Sequence, residues 1–162
     1  MGEGSVTQKL EKARKSALRL LHFRPRSVWE LSTRLRQTFD DETCRFVIQE
    51  LQTKRLLDDD AFAKFWVENR VQFKPMAKSV LLRELLAKRV DKKTIEEALK
   101  EVFPEGERAV AEKCLAARAK RTDFKDPKSY GKLYGFLRRR GFAHELVTEL
   151  LEHYAPANDD RQ

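Results

Sequence analysis

Three prolines constrain this chain more than any other feature. Pro25, Pro75 and Pro127 stand 50 and 52 residues apart, and each follows an aromatic and a basic residue: Phe23-Arg24-Pro25, Phe73-Lys74-Pro75 and Phe124-Lys125-Asp126-Pro127. The same apolar spacing follows each proline. Leu31 and Leu35 correspond to Leu81 and Leu85 and then to Leu133 and Leu137, and Phe39, Val90 and Phe142 come next in register. A period of this size marks a tandem array of supersecondary units. Each copy is too small to bury its own apolar face and must share it with a neighbour.

Each copy reads as three helices. Leu10, Ala13, Ala17, Leu18 and Leu21 recur at three- and four-residue steps and predict a helix over roughly 8–22. Ser27-Val28-Trp29-Glu30 has the form of a capping box opening a second helix that carries Val28, Leu31 and Leu35. Asp40, Asp41 and Glu42 give an acidic first turn to a third, with Cys44, Val47, Ile48 and Leu51 on its apolar face. The second copy is expected over 59–71, 76–88 and 91–102, and the third over 105–120, 127–140 and 143–153. Asp126-Pro127 would supply the cap and first helical residue of the eighth helix. The expectation is therefore an all-α protein of tandem three-helix repeats, about nine helices in an elongated, curved, solenoid-like array. Its divisions are a leader 1–7, repeats 8–57, 58–103 and 104–155, and a tail 156–162, both ends frayed. A content of only six glycines and five prolines suits helices. Charged residues make up 37% against the usual quarter or so, which points to slim, well-solvated elements.

The net charge of +8 favours a polyanionic partner, either nucleic acid or an anionic membrane surface. No stretch approaches the ~20 apolar residues of a membrane span. Met1–Gln8 has no apolar signal region, and Val6 stands where a myristoylation pattern needs Ser or Thr. Cys44 and Cys114 are isolated and read as reduced thiols, so a cytoplasmic protein is expected. The charge also alternates with the repeat. Residues 1–36, 61–90 and 113–140 carry +6, +5 and +8, whereas 40–60, 91–112 and 141–162 carry −4, −3 and −4. Solvated helix faces can carry such runs. Alternation in phase with the repeat would instead present three positive blocks to a long polyanion, with salt-sensitive binding. The strongest run, Arg138-Arg139-Arg140, ends a helix containing Tyr130, Tyr134 and Phe136, where cations also complement the helix dipole. Lys88-Arg89 and Lys120-Arg121 occupy similar helix ends. Leu133 and Tyr134 are expected to face the core, and Trp29 and Trp66 to pack in the core or between copies.

No catalytic constellation is legible. His22, His144 and His153 are far apart in sequence and fit no metal pattern, and no glycine-rich phosphate loop is present. Asp58-Asp59-Asp60 suggests either a helix cap or a Mg²⁺ site, and capping is the commoner role ahead of an apolar helical run. An enzyme, a cofactor and a metal are not expected.

The segment Leu56-Leu57-Asp58-Asp59-Asp60-Ala61-Phe62-Ala63, continuing to Trp66 and Arg70, resembles the signature of the RecX family. Ala17-Leu18 through Leu21, with Arg26-Ser27, Glu30-Leu31 and Leu35, looks like that family's opening motif, and Phe136 to Phe142 like its closing one. The resemblance spans roughly 13–151. It implies tandem three-helix repeats and a regulator that binds the groove of the RecA filament on single-stranded DNA. Such a regulator mainly restrains filament extension, ATP hydrolysis and strand exchange in DNA repair. Free DNA would be bound only weakly, and a monomer is expected. The contact set expected is Arg24, Arg26, Arg34, Arg36, Lys74, Lys78, Lys88, Arg89, Lys120, Arg121, Arg138, Arg139 and Arg140. The family usually has a glycine-rich turn near Pro75 and Lys-Gly-Ile where Lys88-Arg89-Val90 stands here, so these two turns are expected to be stiffer or reshaped. The rival readings are a stand-alone basic helical DNA-binding protein, which the acidic third helices disfavour, and a helical protein–protein adaptor whose charge serves solubility.

Overall fold

The structure, a computed structural model, describes residues 3–124 and 126–154. Among these are nine α-helices and no strand: α1 (Glu3–Phe23), α2 (Val28–Leu35), α3 (Asp41–Thr53), α4 (Asp59–Phe73), α5 (Lys78–Ala87), α6 (Lys92–Val102), α7 (Arg108–Ala119), α8 (Ser129–Arg139) and α9 (His144–Tyr154). The all-α expectation is met. The expected tail 156–162 lies outside the described residues.

Two compact units form. The first takes the described residues up to Trp66 together with Glu84–Ala98; the second takes Val67–Arg83 and those from Leu99 on. In the first, α1, α2 and α3 pack on one another. Ala13 and Ala17 of α1, Leu31 and Leu35 of α2, and Cys44, Val47, Ile48 and Leu51 of α3 meet in a buried cluster with Leu57. These are the positions that the helical spacing picked out. In the second unit α7, α8 and α9 pack likewise, burying Leu115, Leu133, Leu137, Phe142, Val147 and Leu151.

Helix starts follow the sequence where short polar side chains can cap. The Ser27 hydroxyl accepts from the Glu30 N–H at 3.1 Å, and the Glu30 carboxylate accepts from the Ser27 N–H at 3.3 Å, completing the capping box. Asp58 accepts from the Asp60 and Ala61 N–H groups at 2.8 and 3.3 Å, which caps α4. Its neighbours tie down other segments. Asp59 accepts from the Val28 N–H at 2.8 Å, and Asp60 accepts from the Thr94 hydroxyl at 2.7 Å. The triplet is a cap and a tether. No group of three or more metal-ligating side chains is placed to hold an ion among the described residues.

Three expectations are corrected. Helix α1 begins at Glu3 rather than near Gln8, since residues 5–7 contain no helix breaker. Helix α8 begins at Ser129, not at Pro127. Asp126 closes a local turn by accepting from the Lys128 N–H at 2.9 Å, and Ser129 donates its hydroxyl to the Asp123 carbonyl. Trp29 is 43% exposed, because α2 turns Leu31 and Leu35 inward and Trp29 lies off that stripe.

The copies meet at a repeated seam. Within the first unit the Ser27 hydroxyl donates to the carbonyl of Lys88, the residue that follows α5, at 2.9 Å. Within the second, the Ala77 N–H donates to the carbonyl of Arg140, the residue that follows α8, also at 2.9 Å. Ser27 and Ala77 each stand two residues past a proline, so the same acceptor is satisfied by a hydroxyl in one seam and by an N–H in the other. Both acceptors belong to the terminal carbonyls that a helix cannot satisfy itself.

Immediately after these residues the chain turns left-handed. Arg89 has φ 57° and Gly141 φ 89°. Both turns are Schellman motifs: the Val90 N–H reaches Leu85 O at 3.2 Å, and the Phe142 N–H reaches Leu137 O at 3.4 Å. The turn at Arg89 therefore has the same hydrogen-bonded form as the turn at Gly141. A Cβ on Gly141 would lie 2.4 Å from Val80 Cγ2, whereas the Arg89 side chain is exposed. Steric demand thus retains glycine at one seam and tolerates arginine, with strain, at the other. Gly141→Ala should destabilise by roughly 2–3 kcal/mol from crowding and a disfavoured φ. Arg89→Gly should stabilise by about 1 kcal/mol. Thermal melts are expected to move in opposite directions, with Arg89→Gly up by roughly 2–4 °C.

Candidate functional site

The expected contact residues divide by what their charges already hold. Around Glu30 two of them converge. Arg24 donates from both terminal nitrogens at 3.1 Å, and Lys88 Nζ donates at 2.7 Å. The Glu30 side chain is only 12% exposed. Burial alone would raise its carboxyl, but the bonds from Arg24, Lys88 and the Ser27 N–H prevail and bring it down to about 2. Lys88 also lies 4.3 Å from the ring centre of Trp66, whose indole N–H donates to Glu84 at 2.8 Å. The first unit's seam is thus electrically compensated at Glu30, whose carboxylate holds both the Arg24 guanidinium and the Lys88 ammonium.

Others are spent locally. Half-buried Arg26 donates to the Leu20 carbonyl at 3.2 Å, and burial lowers its pKa. Arg34 bonds Gln37, and Arg36 pairs with Asp41 at 2.9 Å. Lys78 is half-buried, with Nζ 5.4 Å from the Phe103 ring centre. The arginine run at the end of α8 splits three ways. Arg138 donates to Phe142 O at 2.6 Å, Arg140 donates to Pro75 O at 3.0 Å, and Arg139 is exposed. Lys74, Arg89, Lys120 and Arg139 are exposed, and none of them pairs with a carboxylate among the described residues.

One gathering of cations was not legible as such. In the second unit, Arg118 and Arg121 of the α7 end join Arg140 around a groove of about 310 Å³ that Phe73, Pro75 and Phe136 also line. The Phe136 ring has the Arg118 guanidinium at 5.3 Å and that of Arg140 at 5.1 Å. Sequence reading found Arg121 and Arg140 but missed Arg118. The signal available was its three-residue step to Arg121, which puts both on one side of the helix end. Cys114 lines the same groove as a buried free thiol, and burial pushes its pKa up against the pull of Arg140, which leaves it a poor nucleophile.

Two family descriptions match the chain: RecX, first three-helix domain, over residues 13–51, and RecX, second three-helix domain, over 58–99. The chain is 35% identical over 151 residues to the regulatory protein RecX of Corynebacterium efficiens, covering 88% of this chain and 71% of that one. It is 32% identical over 155 residues to the regulatory protein RecX of Mycobacterium avium, covering 94% and 90%. Among solved structures, RecX from Lactobacillus salivarius superposes with a TM-score of 0.70 at 18% identity, covering 91% of this chain and 97% of that one, a likeness of fold.

The Glu30 cluster has a pH signature. Because its folded pKa lies below the unfolded one, its stabilisation is complete above about pH 4.5 and is lost as the pH falls toward about 2. Glu30→Gln should cost roughly 2 kcal/mol near neutral pH. Urea denaturation of variant and wild type should show that gap closing over this acid window; a gap independent of pH would remove the carboxylate charge as its source.

Proposed function

This chain belongs to the RecX family, and on that footing we propose that it regulates RecA by binding the RecA–single-stranded DNA filament and restraining its extension. Similarity to regulatory RecX proteins along nearly the whole chain carries this reading. The action needs no bond chemistry: a protein seated in the filament groove blocks the next subunit, and ATP hydrolysis and strand exchange fall with filament length.

The exposed cations suit such docking. Lys74, Arg89, Lys120, Arg121 and Arg139 present charge that no internal carboxylate neutralises, so a polyanion gains their full attraction. Arg24, Arg36 and Lys88 would have to give up an existing pair, and Arg26, Arg138 and Arg140 a bond to a backbone carbonyl. The contact set therefore narrows to the first group. Arg89 fits especially well, as it occupies a left-handed position where glycine would cost less strain. The acidic third helices would face cationic surface on RecA.

The test is RecA-catalysed ATP hydrolysis on single-stranded DNA. Substoichiometric protein should depress the rate, and an unaffected rate removes the proposal. The triple variant Arg89→Glu/Lys120→Glu/Arg139→Glu should keep wild-type helicity by circular dichroism while needing on the order of tenfold more protein for the same inhibition, in keeping with charge-dependent association. Unchanged potency would place the contact elsewhere.

A further inference from the structure

The first copy has a cross-helix ion pair that the third copy has lost. Arg14 of α1 donates to the Glu50 carboxylate of α3 from Nε and Nη2, at 3.0 and 2.8 Å, so a long side chain bridges the two helices. Glu11 stands three residues earlier, on the same side of α1. The register of buried residues fixes the counterparts. Ala13 and Ala17 of α1 match Leu115 and Ala119 of α7, and Val47 and Ile48 of α3 match Leu150 and Leu151 of α9, all of them buried. Arg14 therefore becomes Ala116, Glu50 becomes His153 and Glu11 becomes Lys113. The second copy keeps the original signs of the pair, as Lys64 and Glu101.

With the bridging side chain cut back to a methyl group, a groove of about 580 Å³ lies open along α7 and α9. Ala109, Leu115, Ala116 and Leu150 give it apolar walls, and Lys113 and His153 line it as well. Arg108 and Glu112 also border it but are already engaged, since Arg108 reaches Glu112 and Glu149 at 3.0 Å each. Lys113 pairs with no carboxylate among the described residues. His153 donates from Nδ1 to the Glu149 carbonyl at 2.8 Å, which leaves Nε2 for another partner.

We propose that this groove binds a small amphipathic acid, with an alkyl or aryl chain on the leucine and alanine walls and its carboxylate on Lys113. The first copy shows what such a helix pair accepts at this place: a flexible apolar stem ending in a charged head. Around the third copy's groove the signs are reversed. Two carboxylates have become an ammonium and an imidazole, so the head that fits is an anion. The volume and the mostly apolar lining, with few polar groups, are those of a small-molecule site. A cation of the same length would lie against Lys113. A neutral chain would leave that ammonium unused, and a bare phosphate would gain nothing from the walls. The inference is separate from the filament reading, which rests on other cations.

The experiment is isothermal titration calorimetry of the full chain with decanoate below its micellar concentration. Decanoate should bind and decylammonium should not. Octanoate, two methylenes shorter, should bind about tenfold more weakly. Lys113→Gln should weaken decanoate about fivefold and leave decanol unchanged. Ala116→Arg/His153→Glu rebuilds the pair of the first copy and should weaken decanoate roughly twentyfold or more, with helicity by circular dichroism unchanged. Ala116→Leu fills the groove without adding charge and should also weaken binding, roughly tenfold, so the test survives a double variant that does not fold. The inference is overturned by absent decanoate binding, by a groove-filling variant that binds like wild type, or by decylammonium binding as well as decanoate. A wild type that sediments as a dimer beside a monomeric Ala116→Leu variant assigns the groove to a second copy and overturns it too. Because RecA is absent, each of these results leaves the filament reading standing, and loss of ATPase inhibition alone leaves the groove standing.

Discussion

The structure depends on satisfying the carbonyl at the end of the second helix of the second and third repeats, α5 and α8, from the copy before each. A helix end leaves carbonyls without partners, and burying one unbonded costs about 1–3 kcal/mol. Lys88 and Arg140 are such ends, and both are met by the residue two places after a proline, Ser27 in one unit and Ala77 in the other. The proline enforces this. It drives the preceding Arg24 or Lys74 out of helical geometry, ends α1 and α4 at a phenylalanine, and turns the chain so that its next polar group points at a neighbouring copy. The repeat is a repeat of junctions as much as of helices.

A fixed backbone junction leaves side chains around it free to diverge. In the first unit Glu30 neutralises Lys88 and Glu84 accepts from the Trp66 indole, which makes the seam self-contained and acid-sensitive. In the second, valine and phenylalanine occupy the equivalent positions, and the guanidinium groups of Arg118, Arg121 and Arg140 face a groove. Paired charges offer little to a partner, because the partner must first displace the internal ion. Unpaired ones offer their full attraction. Counting basic residues therefore overstates the binding surface at α2 and understates it at the end of α7.

Much of the fold was readable because it rests on short-range rules. The leucines at fixed distances after each proline, the Ser27–Glu30 box and the Asp58 cap all act within one helical turn. What stayed hidden depends on contacts across the chain. Arg138 and Arg140 looked like one basic run with Arg139, yet two of the three bond backbone carbonyls, Arg140 to one 65 residues away. Asp126-Pro127 had the form of a helix start, but Ser129 is drawn to the Asp123 carbonyl and the chain spends three residues in a turn. Arg118 carries no motif of its own and gains meaning only from the Phe136 ring beneath it.

The exposed phenylalanines complete the reasoning about what the prolines achieve. Phe23 and Phe73, at 76% and 71% exposure, are the two most open large apolar residues among those described, and both sit at a helix end one residue before the basic residue and proline. Isolated exposed apolar side chains need no explanation. Here the same ring recurs at the same landmark, and the helix end holds it outward because the proline forbids the turn that would fold it back. Burying either ring within its own unit would require the helix to continue, which would move the following N–H or hydroxyl away from the carbonyl it satisfies. The device that joins the copies is therefore the same one that keeps an aromatic surface open beside cationic residues.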